Sequence, residues 1–158
     1  MIDYIATEYP DALPTHVRTQ LGADVPNPNF DVGIQGRATF QPALDIGVTS
    51  PFAHLQQLLV STTTTTSPDP AVEVVPTGVV DRVRELKAQD GKDIYLIGGS
   101  RLAGSLLAEV DALVLKVYPV VAGAGIPLFT AEFSPTSFTL TRTRTLESGT
   151  VVLHYERA

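Results

Sequence analysis

Along the chain, stretches of unbroken apolar residues alternate with stretches in which apolar residues recur every three or four positions. Ile94-Tyr95-Leu96-Ile97 is the clearest of the first kind and predicts a strand covered on both faces. Phe30 to Ile34, Leu58 to Val60, Val72 to Val75 and Ala112 to Val117 predict further strands. Val79, Val80, Val83 and Leu86, with Asp81, Arg82, Arg84 and Glu85 between them, predict a helix with one apolar face. Three more helices follow from their punctuation: Pro14 to Leu21 ending at Gly22, Arg37 to Ile46 ending at Gly47, and Leu102 to Val110 after the Gly98-Gly99 turn. Beyond Phe138 the character changes. Phe138, Leu140 and Leu146 lead into the turn Glu147-Ser148-Gly149-Thr150 and a last strand from Val151 to Tyr155, a terminal hairpin. Strand-helix alternation followed by a hairpin predicts an α/β fold: a mixed, mostly parallel sheet with helices on both faces and an antiparallel edge. With no repeat and no linker, the 158 residues are expected to form a single domain, 1–158.

Composition narrows the partners. Eleven lysines and arginines against 17 acids leave a net charge of −6, which repels polyanions, so nucleic acid is not an expected partner. Any anion the chain binds must meet a local positive site. The absence of cysteine excludes disulfides, thiol catalysis and cysteine-based zinc sites. The opening residues carry no basic patch or long apolar stretch, and the apolar run from Ala112 to Phe129 is broken by Lys116, Pro119, Gly123, Gly125 and Pro127. Neither membrane insertion nor export is therefore expected, and a cytoplasmic location fits.

Candidate chemistry lies mainly where strands give way to helices. Gly36-Arg37-Ala38-Thr39 is one such turn: glycine admits a ligand close to the backbone, the first helical amides point at it, and Arg37 can add a bidentate phosphate contact. Gly98-Gly99-Ser100-Arg101 is a second, with Ser100 able to cap the helix or bond a phosphate. It has neither the glycine spacing of a dinucleotide fingerprint nor the Gly-Lys-Ser/Thr of a P-loop. A third is the hydroxyl run from Ser61 through Thr66 after the Leu58-Leu59-Val60 strand, whose first members could bond a phosphate or ribose. In the fourth, Pro119 to Pro127, Gly123 and Gly125 could let backbone line a pocket. Each also reads as ordinary structure: a turn with a surface arginine, a glycine pair serving helix-sheet packing, a solvated loop, a rigid connection. His16, His54 and His154 have no partner at metal-ligand spacing and read as surface or satisfied core histidines, so no metal is expected. No Gly-x-Ser-x-Gly elbow exists, and the Glu109/Asp111 pair reads as solvated.

The ordered set resembles the C-terminal reductase domain of bacterial riboflavin-biosynthesis deaminase-reductases, within the dihydrofolate-reductase-like superfamily. The resemblance is carried by Asp31-Val32-Gly33-Ile34-Gln35-Gly36-Arg37-Ala38-Thr39-Phe40, Leu59-Val60-Ser61-Thr62 and Gly91 through Leu102. The run from Leu113 to Phe129 and the Ser148-Gly149 hairpin add to it. It implies a three-layer sandwich and an NADPH-dependent reductase acting on a small heterocyclic or carbonyl-type substrate, as 5-amino-6-(5-phosphoribosylamino)uracil reductases do. It also implies a homodimer. Gly36, Arg37 and Thr39 would contact cofactor phosphates. Ser61 and Thr62 would lie near the adenosine ribose and its 2′-phosphate, and Gly98, Gly99, Ser100, Arg101 and Leu102 would cradle the pyrophosphate. No catalytic side chain is implied. Members of the family open with a strand carrying a Ser-Leu-Asp-Gly-like motif, and nothing before Phe30 matches it. The strands beside that position are then expected to present unpaired backbone, covered by another chain or a rearranged N-terminus. A nucleotide-binding protein without turnover, or an assembly module, are the alternatives.

Overall fold

The computed structural model describes residues 2–158. Helix α1 (Ile2–Glu8), a 3₁₀ turn (Pro10–Ala12) and helix α2 (Thr15–Gln20) precede strand β1 (Phe30–Gly36). Helix α3 (Arg37–Asp45), strands β2 (Gln56–Val60) and β3 (Val72–Val75), helix α4 (Val79–Lys87), strand β4 (Asp93–Gly98) and helix α5 (Ser100–Ser105) follow. Strands β5 (Ala112–Val117), β6 (Phe138–Thr145) and β7 (Val151–Arg157) complete the chain. The first four strands form a parallel sheet in the order β3-β2-β1-β4, and the last three an antiparallel sheet in the order β5-β7-β6.

Alternation along the strands sorts the helices onto the two faces of the parallel sheet. Leu58 points into a core with Val32, Ile34, Val75, Val83, Leu86, Leu102 and Leu106, so α4 and α5 cover that face. Leu59, next along the strand, points the other way and joins Phe40 and Val72, which places α3 opposite. Among the described residues no helix is long and apolar enough to cross a membrane.

Three expectations are corrected. The single mixed sheet is two sheets: β4 pairs only with β1 and β5 only with β7, so their outer edges have no strand partner among the described residues. For the same reason Ile94 to Ile97 are half-buried rather than covered on both faces. The helix expected from Leu102 to Val110 begins at Ser100 and stops at Ser105, followed by a 3₁₀ turn (Leu107–Glu109). Gly104 and Ser105 are weak helix formers, and the Arg157 guanidinium takes the carbonyls of Val110 (2.7 Å) and Leu107 for itself. Helix α1 was not anticipated; it is seven residues long, with one buried side chain, Tyr4, to mark its face.

The N-terminal segment bridges the two sheets through side chains. Tyr9 stacks on Phe30 and on His154, with ring centroids 6.2 Å apart in each pair. The His154 imidazole also meets the hydroxyls of Tyr4 (3.2 Å) and Tyr9 (3.3 Å). Glu8 pairs with Arg144 (2.9 Å) and Arg142 (3.4 Å) on β6. On the parallel-sheet side Asp11, 0% exposed, accepts hydrogen bonds from the backbone N–H groups of Asn29 (2.6 Å) and Phe30 (2.8 Å) and from the Asn29 amide (3.0 Å).

Candidate functional site

Parallel register brings the carboxyl ends of β2, β1 and β4 side by side, with Gly36 opposite Val60 and Gln35 opposite Gly98. The segments that follow them leave the sheet at one edge, where open α/β sheets place ligands. The Gly36 and Gly98-Gly99 turns touch: a β-carbon on Gly36 would stand 3.8 Å from the Gly98 carbonyl oxygen and 3.9 Å from the Gly99 nitrogen. Gly98 has φ +138°, a backbone conformation open to glycine, and the Thr39 Oγ1 lies 3.4 Å from the β-carbon positions of both Gly98 and Gly99. Gly36 is the N-cap of α3 and Gly99 that of α5, and neither helix has a side-chain cap bond. The first amides of two helices thus remain free for an external acceptor, and their partial positive charges favour an anion.

The rim is polar. Arg37 is exposed and its Nη1 donates to Thr63 Oγ1 at 3.3 Å, tying the start of α3 to the loop after β2. Ser61 is only 6% exposed, and its hydroxyl folds that loop: it accepts from the N–H groups of Thr63 (3.3 Å) and Thr64 (3.0 Å) and donates to Thr64 Oγ1 (2.8 Å). Thr62, Thr63, Thr65 and Thr66 are the exposed hydroxyls of the run, and Thr64 is half-buried. Arg101 is exposed, Leu102 is buried in the core, and Ser100 meets Thr130 through both hydroxyl (3.1 Å) and carbonyl (2.9 Å).

A cavity of about 260 Å³ adjoins the cradle and shares Thr39 with it. Its floor is Gln35 and Ile97 at the ends of β1 and β4; its walls include His16, Pro42, Pro51 and Phe52. Two bonds hold the walls together. The Thr15 N–H donates to the Pro51 carbonyl (2.7 Å), and the His54 Nε2–H to the Asp11 carbonyl (3.0 Å). Since a carbonyl only accepts, Nδ1 is the bare nitrogen of His54 and takes the Thr15 hydroxyl at 2.8 Å. Burial pushes the His54 imidazole below its ordinary value, in keeping with that neutral form.

His54 and His154 are satisfied, as expected, whereas His16, whose side chain is among those lining this cavity, has a buried Nδ1 without a partner among the described residues. Gln35, another lining residue and 1% exposed, likewise has a buried Nε2 without a partner among the described residues. Sequence reasoning missed both. The available signal was a polar residue inside the apolar run Val32 to Gly36. The Pro119 to Pro127 segment lines neither this cavity nor a shallower one beside Arg37, Ala38 and Gln41; it is an exposed loop, with Val121 98% accessible.

Residues 48–152 match the RibD C-terminal domain. The chain belongs to that family. The matched span contains Ser61, Thr62 and the segment 98–102, and the register of β1 adds Gly36, Arg37 and Thr39 to the same edge. Among its relatives, the uncharacterized protein YwjB of Bacillus subtilis (strain 168) is 28% identical over 130 residues, covering 81% of this chain and 74% of YwjB. The uncharacterized protein YyaP of the same organism is 38% identical over 79 residues, which span 49% of this chain but only 42% of YyaP. A Shewanella sp. PV-4 crystal structure named for riboflavin biosynthesis superposes with a TM-score of 0.69 at 23% identity, covering 92% of this chain and 91% of that one. The diaminohydroxyphosphoribosylaminopyrimidine deaminase/5-amino-6-(5-phosphoribosylamino)uracil reductase of Thermotoga maritima gives 0.59 at 11% identity over 82% of this chain and 46% of that one. These likenesses establish the α/β, dihydrofolate-reductase-like fold of this RibD C-terminal-type chain.

Proposed function

We propose that the chain is a reductase that holds NADPH in the Gly36/Gly98 cradle and acts on a small heterocyclic or carbonyl-type substrate. One observation carries this reading: two glycine-capped, otherwise uncapped helix starts touch at the ends of adjacent parallel strands, with Arg37 beside them. On a chain of net charge −6 such a spot is a local exception that suits a phosphate-bearing ligand. The backbone of Gly98 to Leu102 would hold the pyrophosphate, Gly36, Arg37 and Thr39 would add phosphate contacts, and the Ser61-Thr62 loop would flank the adenosine ribose and its 2′-phosphate. Bound NADPH supplies a hydride. The protein's own part is then orientation and exclusion of water rather than nucleophilic attack, which agrees with a cavity whose one titratable lining group is His16.

Calorimetric titration with NADPH and NADH tests the reading. NADPH is expected to bind at least about tenfold more tightly. Arg37→Ala should weaken it about 10–100-fold, since charge-assisted hydrogen bonds contribute about 1.5–3 kcal/mol. No binding at millimolar NADPH would end the proposal. A second reading, nucleotide binding without turnover, is favoured by β4, which ends in the cradle and among the described residues has no strand partner on the side away from β1. It requires that NADPH titrate while its nicotinamide absorbance survives every pterin, pyrimidine and dicarbonyl offered. The exposed side chains of Val120, Val121, Ile126, Leu128 and Phe133 support self-association as well, and sedimentation velocity is expected to give a homodimer.

A further inference from the structure

We infer that the uncovered apolar face of the antiparallel sheet joins two copies of the chain, and that the loop 118–133 links this contact to the cofactor cradle. The linkage rests on the NADPH reading; the face itself does not. Residues directly opposite one another in an antiparallel sheet share a face, so the register sorts the side chains of β5, β7 and β6. One face carries Val152, His154, Arg142 and Arg144. The N-terminal segment covers it: Tyr9 stacks on His154, Arg144 lies over the Tyr4 ring at 4.9 Å, and Glu8 pairs with both arginines. The other face carries Leu113, Tyr155 and Leu140 in one row, Leu115 and Leu153 in the next, and Val117 and Val151 in the third. None of these side chains is buried, Val117 and Leu140 being 51% and 50% exposed, and no residue of the three strands belongs to either hydrophobic core. A sheet must bury its apolar face against another layer, and none of the described elements buries this one.

Charge and area select a second copy as the cover. A net charge of −6 opposes self-association wherever acids are exposed, yet this face holds no Asp, Glu or Lys. Its one charged residue, Arg157, is already engaged by the Phe138 ring and by the carbonyls of Val110 and Leu107. The loop that continues from Val117 carries no charge from Tyr118 through Ala131. Each partly exposed apolar side chain leaves on the order of 50–100 Å² in water, so face and loop together offer roughly 600–1,200 Å². That exceeds the roughly 300–600 Å² patch of a typical monomer and is near the roughly 800 Å² per partner of a standard interface. Two such faces can stack about 10 Å apart with their side chains interdigitated, and a two-fold contact uses up both, so assembly stops at the dimer. The loop leaves the face at Val117 and passes the cradle. Thr130 donates its N–H to the Ser100 carbonyl (2.9 Å) and its hydroxyl to the Ser100 hydroxyl (3.1 Å), and its carbonyl packs against Gly104. Between these two anchors Val120, Val121 and Ile126 stand exposed. A second copy that covers the loop therefore fixes the backbone that holds Ser100, and NADPH bound at that turn favours the covered arrangement in return.

The test is sedimentation velocity of the full chain with and without saturating NADPH, beside calorimetric titration of NADPH. Leu140→Lys and Val117→Lys place a charge on the face at side chains already half in water, so the fold, checked by circular dichroism, is spared. Each is expected to weaken the dimer at least about 30-fold, because both copies bury an unpaired ammonium. Leu21→Lys, at an exposed apolar side chain just after α2, should leave the dimer unchanged. All three variants move the net charge toward zero, so general repulsion cannot explain a loss. The monomeric face variants should bind NADPH about 3–10-fold more weakly than the parent dimer. NADPH on both copies should then tighten that dimer by the square of the same factor, about 10–100-fold. A parent that is monomeric at about 100 μM overturns the interface, whether or not it co-sediments with phosphatidylcholine vesicles. So do face variants that dimerise like the parent, or a Leu21→Lys that dissociates with them. Dissociation that leaves NADPH affinity unchanged overturns the linkage to the cradle. A parent dimer that binds no NADPH removes the cofactor reading and the linkage with it, while the sedimentation arm still decides the face.

Discussion

Gly104 lies within α5, where a solvent-facing glycine would cost stability and alanine would restore about 0.5–1 kcal/mol. Its surroundings reverse that sign. A β-carbon there would stand 1.9 Å from the Thr130 carbonyl oxygen and 2.5 Å from its carbon, whereas ordinary contact begins at 3.4 Å. Backbone is what it meets, so Thr130 must retreat by roughly 1.5 Å rather than rotate a side chain away. Thr130 is held by its N–H on the Ser100 carbonyl (2.9 Å) and its hydroxyl on the Ser100 hydroxyl (3.1 Å), and such a retreat breaks both. Overpacking costs about 1–3 kcal/mol and each hydrogen bond about 0.5–1.5, against a helix gain of at most about 1. Gly104→Ala should therefore destabilise by about 2–4 kcal/mol. For a chain of this length that lowers Tm by about 5–15 °C in a thermal melt followed by circular dichroism. Because Ser100 belongs to the proposed pyrophosphate turn, NADPH affinity should fall with it. Gly125→Ala is the control: nothing lies within 4 Å of its β-carbon position, and its melt should stay within about 2 °C of the parent. A Gly104→Ala protein that melts higher than the parent would show that α5 and the loop before β6 are not packed as described.

Two further outcomes follow from the N-terminal segment. Asp11→Ala strands two backbone amides and the Asn29 side chain at the start of β1 and should cost about 3–5 kcal/mol in urea unfolding at neutral pH; a loss below about 1 kcal/mol would mean that water replaces the carboxylate. Burial, and then the nearby Arg142 charge, push His154 below the ordinary imidazole value of 6.5, and burial does the same to His54. Both side chains then take up a proton more readily when unfolded, so their share of stability is complete above about 6.5 and drains away as pH falls toward the folded values. His154→Gln should flatten that part of the unfolding profile between about pH 7 and 5, and a profile of unchanged slope would contradict the assignment.

Much of the parallel layer was legible in the chain. Strand and helix periodicities are local properties, and β1 to β4 with α3 and α4 lie close to their expected bounds. The cradle was legible for a related reason. Gly36 and Gly98 each end a strand, and once those strands pair in parallel their ends must meet. What the sequence could not state is which edges go without partners and which distant groups end up facing one space. The separation of β4 from β5 depends on backbone that no strand among the described residues pairs with, which leaves no trace in hydrophobic pattern. Gln35 and His16 lie on a strand and a helix 19 positions apart, and the contact of Gly104 with Thr130 spans 26. Neither distance corresponds to a helical or strand period, so only the packed structure decides that Gln35 and His16 line one cavity and that one glycine must stay bare.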